Sequence, residues 1–114
     1  MTIGISEMFN KKSDIGFSNP IPGITMKTIS WGDRTLMTEF RLSRGSVLPM
    51  HSHPHEQTGY LVSGHITLTI GAEAFDTRPG DSWCVPSCIE HRADIHEDSV
   101  AVEVFSPVRE DYLP

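Results

Sequence analysis

Cysteine is scarce in this chain. Cys84 and Cys88 are the two among 114 residues, too few for a disulfide scaffold, and their Cys-x3-Cys spacing has no second Cys or His pair at zinc-finger distance. Both read as free thiols in a reducing compartment. Long apolar runs are also missing. No stretch of about 18 apolar residues is available to span a bilayer, and no basic start followed by an apolar segment suggests a signal peptide. A cytoplasmic protein with no membrane partner is therefore expected. Positive charge is in deficit, with nine Lys and Arg against fifteen Asp and Glu and a formal charge of -6. The basic residues are scattered, which leaves no stripe to neutralise a phosphate backbone, so no nucleic-acid partner is expected. Helical periodicity is absent too: no breaker-free stretch of about ten residues carries a 3.6-residue apolar stripe. The length suits one domain, since single domains run to about 100–150 residues.

What is present is a succession of short strand-like stretches punctuated by Gly, Pro and Asp. They are Thr25 to Trp31, Leu36 to Leu42, Gly59 to Ser63, His65 to Ile70, Ala74 to Thr77, Ser82 to Val85 and Val100 to Phe105. Leu36, Phe40 and Leu42 share one face of their strand and Met37, Glu39 and Arg41 the other. Gly32-Asp33, Ser63-Gly64, Ile70-Gly71 and Pro79-Gly80-Asp81 supply turn chemistry. Seven or more strands in so short a chain bury their edges best by rolling into a sandwich or a jelly-roll barrel, so the expected class is all-β with a single domain. Before it, the polar segment 1–23, broken by Asn19-Pro20 and Pro22-Gly23, reads as an N-terminal arm or a short edge strand. The barrel domain then spans 24–114.

The densest chemistry lies in Met50-His51-Ser52-His53-Pro54-His55-Glu56-Gln57, with an isolated His91 far downstream. On a strand, His51 and His53 project from one face and bring two imidazoles to one ion. Pro54 removes a ladder donor and turns the chain, so Gln57 can open the neighbouring strand and offer its side-chain carbonyl. His91, just past Pro86 and Glu90 and near the start of another strand, closes the set. The cluster is internal, unlike a purification tag. Pro54 interrupts the parity that His55 shares with His51 and His53, so His55 is expected in solvent. Glu56 reads as a solvated turn residue, and His65 and His96 as satisfied or exposed histidines.

Three imidazoles and one amide are all neutral, so an ion held by His51, His53, Gln57 and His91 keeps its double charge and favours anionic or oxygen-rich ligands. Ni²⁺, Fe²⁺, Mn²⁺ or Co²⁺ would keep open positions beyond four protein ligands, whereas a tetrahedral Zn²⁺ would be closed. A second constellation lies in the C-terminal strand. Val100, Val102 and Val104 occupy one face, and Ala101, Glu103 and Phe105 the other. A carboxylate in so apolar a strand is costly to bury unless it is paired or functional. Period-2 reasoning leaves open whether Glu103 points into the barrel or to solvent at its rim, and whether Arg109 and Glu110 are more than surface charge.

The spacing Gly45-x5-His51-x-His53-x3-Gln57-x6-Gly64 resembles the first cupin motif, with Gln57 where most members have Glu. Gly80-x5-Pro86-x-Cys88-x2-His91-x3-Ile95 resembles the second, with Cys88 and Ile95 where Gly and Asn are usual. The resemblance implies a single-domain cupin jelly-roll barrel. The tail Glu103-x-Phe105-Ser106-Pro107-x-Arg109-Glu110-Asp111-Tyr112-Leu113 is similar to that of the pectin-degradation cupins called KdgF, which linearise unsaturated monouronates. In that family an Asp at the Glu103 position is the proposed acid/base group, and the residues at Phe105 and Arg109 line the substrate site. This second resemblance implies a metal-dependent, isomerase-like enzyme that converts 4,5-unsaturated monouronates from pectin or alginate lyases to linear 5-keto uronates. It would act on an anionic sugar and pair as a homodimer, through the N-terminal arm. The alternatives are another mononuclear-metal cupin such as an Fe-dependent dioxygenase, or a non-catalytic sugar- or metabolite-binding cupin. Tyr60 is assigned to packing.

Overall fold

The computed structural model describes residues 8–114; the first residues of the expected arm lie outside the described residues. Among the described residues eight strands run β1 (Ser18–Ile21), β2 (Ile24–Trp31), β3 (Leu36–Leu42), β4 (Val47–His51), β5 (Glu56–Ile70), β6 (Glu73–Thr77), β7 (Ser82–Val85) and β8 (His91–Ser106). A 3-10 turn at Glu110–Tyr112 comes after them. All pairings are antiparallel. No helix among the described residues is long and apolar enough to cross a membrane.

Strands β5 and β8 pair with each other along nearly their whole length. Their first and second halves have different outer neighbours. The later half of β8 lies beside β3 and the early half of β5, which itself carries β7. The early half of β8 lies beside β4 and the later half of β5, which carries β6. The continuous sheet thus bends into two facing halves, and the core fills the space between them. Ile24, Met26, Phe40, Leu42 and Leu61 come from one half, and Ile66, Leu68, Ala93 and Ile95 from the other.

Local pattern explains the inward faces. Leu36, Thr38, Phe40 and Leu42 are buried along β3 while Met37 is exposed, as alternation requires. The same alternation along β8 buries Ser99, Ala101, Glu103 and Phe105 and leaves Val100, Val102 and Val104 half-buried. Glu103 therefore faces the barrel interior. Four expectations differ from the fold. The stretches Gly59 to Ser63 and His65 to Ile70 form one strand, Glu56 opens that strand rather than lying in a turn, the strand expected at Val100 to Phe105 begins at His91, and His53 lies past the end of β4 rather than on one strand with His51. Gly64, at φ 96°, lets β5 bend without ending its ladder. The segment ahead of the barrel contains β1, paired to the edge of β2.

Candidate functional site

Three loops and strand ends converge at one mouth of the barrel. His51 is the last residue of β4 and His91 the first of β8, and the two are register partners. His53 lies in the short connection to β5, whose second residue is Gln57. The connection from β7 into β8 is tied to this segment, because the Cys88 N–H donates to the His53 carbonyl at 2.8 Å. Cys88 holds φ 64°, where glycine is commoner.

The three rings face one another, with centroids 4.1 Å apart for His51 and His91, 5.0 Å for His53 and His91, and 5.7 Å for His51 and His53. One ligating atom from each lies within 4.8 Å of the other two. Each Nδ1 faces a backbone carbonyl: Pro49 at 2.8 Å for His51, His55 at 3.0 Å for His53 and Ile89 at 2.9 Å for His91. A carbonyl only accepts, so each Nδ1 carries the proton and each Nε2 is left with a bare lone pair. This arrangement orients histidine ligands in metal sites.

Two further observations fit a cation. The His91 Nε2 is buried without a hydrogen-bond partner, which is costly for a polar atom unless something binds it. The Gln57 Oε1 also faces the His53 Nε2 at 2.9 Å. Both are acceptors once the His53 proton sits on Nδ1, so the pair is favourable only with a positive centre shared between them. Burial lowers the pKa of His53 and lowers that of His91 to about 4. Both are thus neutral, as metal ligation requires.

Glu103 sits behind Gln57. It is 7% exposed, with Oε2 accepting from the Gln57 Nε2 and Oε1 from the Trp83 Nε1 at 3.0 Å. Burial pushes its pKa up to about 8 against the opposing pull of these two donors. His51, Gln57, His91, Trp83, Glu103, Phe105, Arg109 and Tyr112 line one cavity of about 60 Å³ with an apolar floor of Leu42, Leu48, Ile66 and Leu68.

The C-terminal turn forms the rim of that mouth. The Thr28 hydroxyl donates to the Tyr112 carbonyl at 2.5 Å and moors the turn to β2. Arg109, whose side chain is 15% exposed, stacks its guanidinium 3.9 Å from the Tyr112 ring and 5.2 Å from that of Phe105. Its Nε and Nη2 both donate to Asp111 at 3.1 Å. The edge bearing Nη1 makes no hydrogen bond among the described residues.

All the residues singled out in the sequence at this mouth, His51, His53, Gln57, His91, Glu103, Phe105 and Arg109, are brought together. His55 is half-buried rather than in solvent, its Nδ1 buried without a partner and its ring 5.6 Å from that of His53. It stands outside the three-histidine group. His65 pairs with Asp76 at 2.5 Å and His96 with Thr67 at 2.6 Å. Tyr60 is 49% exposed on the outer face, away from the cavity. Cys84 and Cys88 are free and exposed. Sequence reasoning missed Trp83 and the role of Gly59, although a glycine inside a strand signals a close approach.

Residues 38–107 match the family model described as a cupin domain. The pectin degradation protein KdgF of Dickeya dadantii (strain 3937) is 30% identical over 93 residues, which is 80% of this chain and 84% of that protein. The solved structure of KdgF from a Halomonas species has a TM-score of 0.87 at 30% identity, covering 92% of this chain and 99% of that one. An RmlC-like cupin from Shewanella frigidimarina NCIMB 400 shares the fold with a TM-score of 0.89 at 22% identity, covering 94% of this chain and 96% of that one.

Proposed function

This chain belongs to the cupin family, and from that premise we propose that it is a metal-dependent, cytoplasmic enzyme of pectin or alginate breakdown. In this reading it opens the ring of 4,5-unsaturated monouronates to give linear 5-keto uronates. The likeness to two KdgF proteins supports this reading. The observation that carries it is the cavity that His51, Gln57, His91, Glu103, Phe105 and Arg109 line together.

His51, His53, Gln57 and His91 hold one divalent ion of the Ni, Fe, Mn, Co or Zn group. When bound, the ion supplies Lewis-acid stabilisation to negative charge on a substrate oxygen. The protein's own residues do the rest. Ring opening takes the proton from the anomeric hydroxyl, breaks the bond between C1 and the ring oxygen, and returns a proton to C4, so atoms balance without a co-reactant. Glu103 moves that proton on a free lone pair of its carboxylate. Its raised proton affinity suits a group that must both take and return a proton near neutral pH. The free guanidinium edge of Arg109 receives the sugar carboxylate, with the other edge held by Asp111. Phe105 and Tyr112 pack against the guanidinium and exclude water beside it. This reading includes a homodimer.

The test tracks the conjugated double bond by ultraviolet absorbance, using metal-loaded protein and lyase-derived monouronates. Wild type should remove the absorbance, and Glu103→Gln should lower kcat roughly 10²–10⁴-fold. Wild type no faster than buffer refutes the reading. Oxygen uptake during turnover would point to an oxygenase instead.

A further inference from the structure

Gln57, Glu103 and Trp83 form a chain of hydrogen bonds across three neighbouring strands. Gly59 of β5 is the register partner of Trp83 on β7 and also of Glu103 on β8. With no side chain at Gly59, the indole lies across the middle strand: a Cβ there would stand 2.2 Å from both Cε2 and Nε1 of Trp83. Only a glycine lets Nε1 reach the Glu103 Oε1 at 3.0 Å. The other carboxylate oxygen then faces the Gln57 Nε2.

A side-chain amide can face either way, and here the two ways differ in function. As observed, the NH2 donates to Glu103 and the carbonyl oxygen faces the His53 Nε2 at 2.9 Å. Turned over, the NH2 would occupy the His53 lone pair and the Gln57 oxygen would face the Glu103 Oε2, an arrangement that only a proton on Oε2 could stabilise. A ligand set needs the first arrangement. A Glu side chain rotates broadly about its last torsion, so an anchor on Oε1 keeps Oε2 turned toward Gln57.

We propose that Trp83 is a positioning residue: through Glu103 it fixes the Gln57 amide with its carbonyl oxygen toward the histidine cluster, and so makes Gln57 a metal ligand. This rests on the metal reading above and adds to Glu103 a second role, which does not depend on which substrate the enzyme takes.

The experiment uses Trp83→Phe, which keeps an aromatic ring but removes the donor, with Trp31→Phe as control. Affinity for Co²⁺ is measured by competition with a chelator. Loss of a residue that orients a ligand typically weakens metal binding 10–100-fold, which is the effect expected for Trp83→Phe and not for Trp31→Phe. Trp83→Phe within twofold of wild type overturns the proposal and leaves the metal reading standing. In parallel, ¹H–¹⁵N spectra of metal-free protein monitor the Gln57 NH2 pair, which Trp83→Phe should displace. If wild type binds no ion, the metal reading fails and the ligand role of Gln57 with it; the NH2 pair then decides only whether Trp83 sets the orientation of the amide, displaced supporting that and unmoved overturning it. Should Trp83→Phe not fold, Glu103→Gln serves, because it must move both the Trp83 indole N–H and the Gln57 pair. Neither moving overturns the chain.

Discussion

Replacing Gly59 by Ala adds a single methyl, and the surroundings of that methyl set its cost. The new Cβ would stand 2.2 Å from Cε2 and Nε1 of Trp83 and 2.5 Å from Cζ2. Carbon contacts are optimal at about 3.5–4.0 Å, so the indole must recede by roughly 1.3 Å. That movement opens the 3.0 Å bond from Nε1 to Glu103. Overpacking costs about 1–3 kcal/mol, and the lost hydrogen bond to a buried carboxyl about 1.5–3 kcal/mol more. A total of roughly 2.5–6 kcal/mol takes a large share of a stability of about 5–15 kcal/mol. In a domain of this size it lowers Tm by on the order of 10–24 °C, at about 4 °C per kcal/mol. Urea unfolding followed by circular dichroism measures it, and Gly59→Ala, Trp83→Leu and the double variant form a cycle. If the clash is the cause, the double variant loses less than the sum of the two single ones. A Gly59→Ala cost below about 1 kcal/mol, or strict additivity, refutes the reasoning.

Metal binding should raise stability by mass action. At free ion 100 times its Kd the gain is about 2.7 kcal/mol, or roughly 10 °C. His91→Ala should abolish that shift in a melting assay with and without chelator; a shift that survives the substitution removes His91 from the ligand set. In metal-free protein two buried groups set opposite pH limbs. Glu103, raised from 4.5 to about 8, contributes stability that is full below about pH 4.5 and lost as pH climbs toward 8. His91, lowered from 6.5 to about 4, contributes stability that is full above about pH 6.5 and lost as pH falls toward 4. Urea midpoints should therefore peak between about pH 4.5 and 6.5, with the alkaline limb flattened in Glu103→Gln. A wild-type midpoint still rising from pH 6 to 8 would contradict this.

His51 and His53 were legible because ligand geometry leaves a local trace, close spacing around Pro54; His91, 40 residues from His51, was singled out by its place near a strand start and by the spacing of the second motif, and the structure makes it the register partner of His51. Strand class was legible for the same reason, since alternation along Leu36–Leu42 is a local property. The extent of β5 and β8 was not. Gly64 reads as a turn residue, and whether a glycine ends a strand or bends it depends on the neighbour pairing across it, which no local pattern records. The inward face of Glu103 was equally hidden. Val100, Val102 and Val104 are as apolar as the face they oppose, so hydrophobicity could not choose between the two. Trp83 escaped because its partner is 20 residues away and reached across a third strand.

The bend at Gly64 decides whether the site exists at all. At about 3.3 Å per residue, the 15 residues of β5 and the 16 of β8 would each span roughly 50 Å if straight. The molecule is 40 Å along its longest axis. Both strands must therefore turn, and their register shifts between Leu61 and Ile66. Only that turn brings His91, at the start of β8, to the cavity that Glu103 lines from near its end. A Cβ at Gly64 would lie 2.0 Å from the Ser99 Oγ and 2.6 Å from both the Asp98 carbonyl oxygen and the Ser99 Cα, at φ 96°. Two of those atoms are backbone and cannot rotate aside. Ser99 is itself fixed, accepting from the His65 N–H at 3.1 Å and donating to the Glu97 carbonyl at 2.7 Å. Gly64→Ala must then shift main chain on β8 and adopt a left-handed conformation, at a cost of roughly 4 kcal/mol or more. It should destabilise at least as much as the lower part of the Gly59→Ala range, and it should weaken metal uptake although it touches no ligand. Ser99→Gly added to Gly64→Ala relieves the Oγ contact but not the backbone ones, so recovery should be partial. A Gly64→Ala protein with Tm and Co²⁺ affinity near those of wild type would show that the corner does not set the geometry of the site.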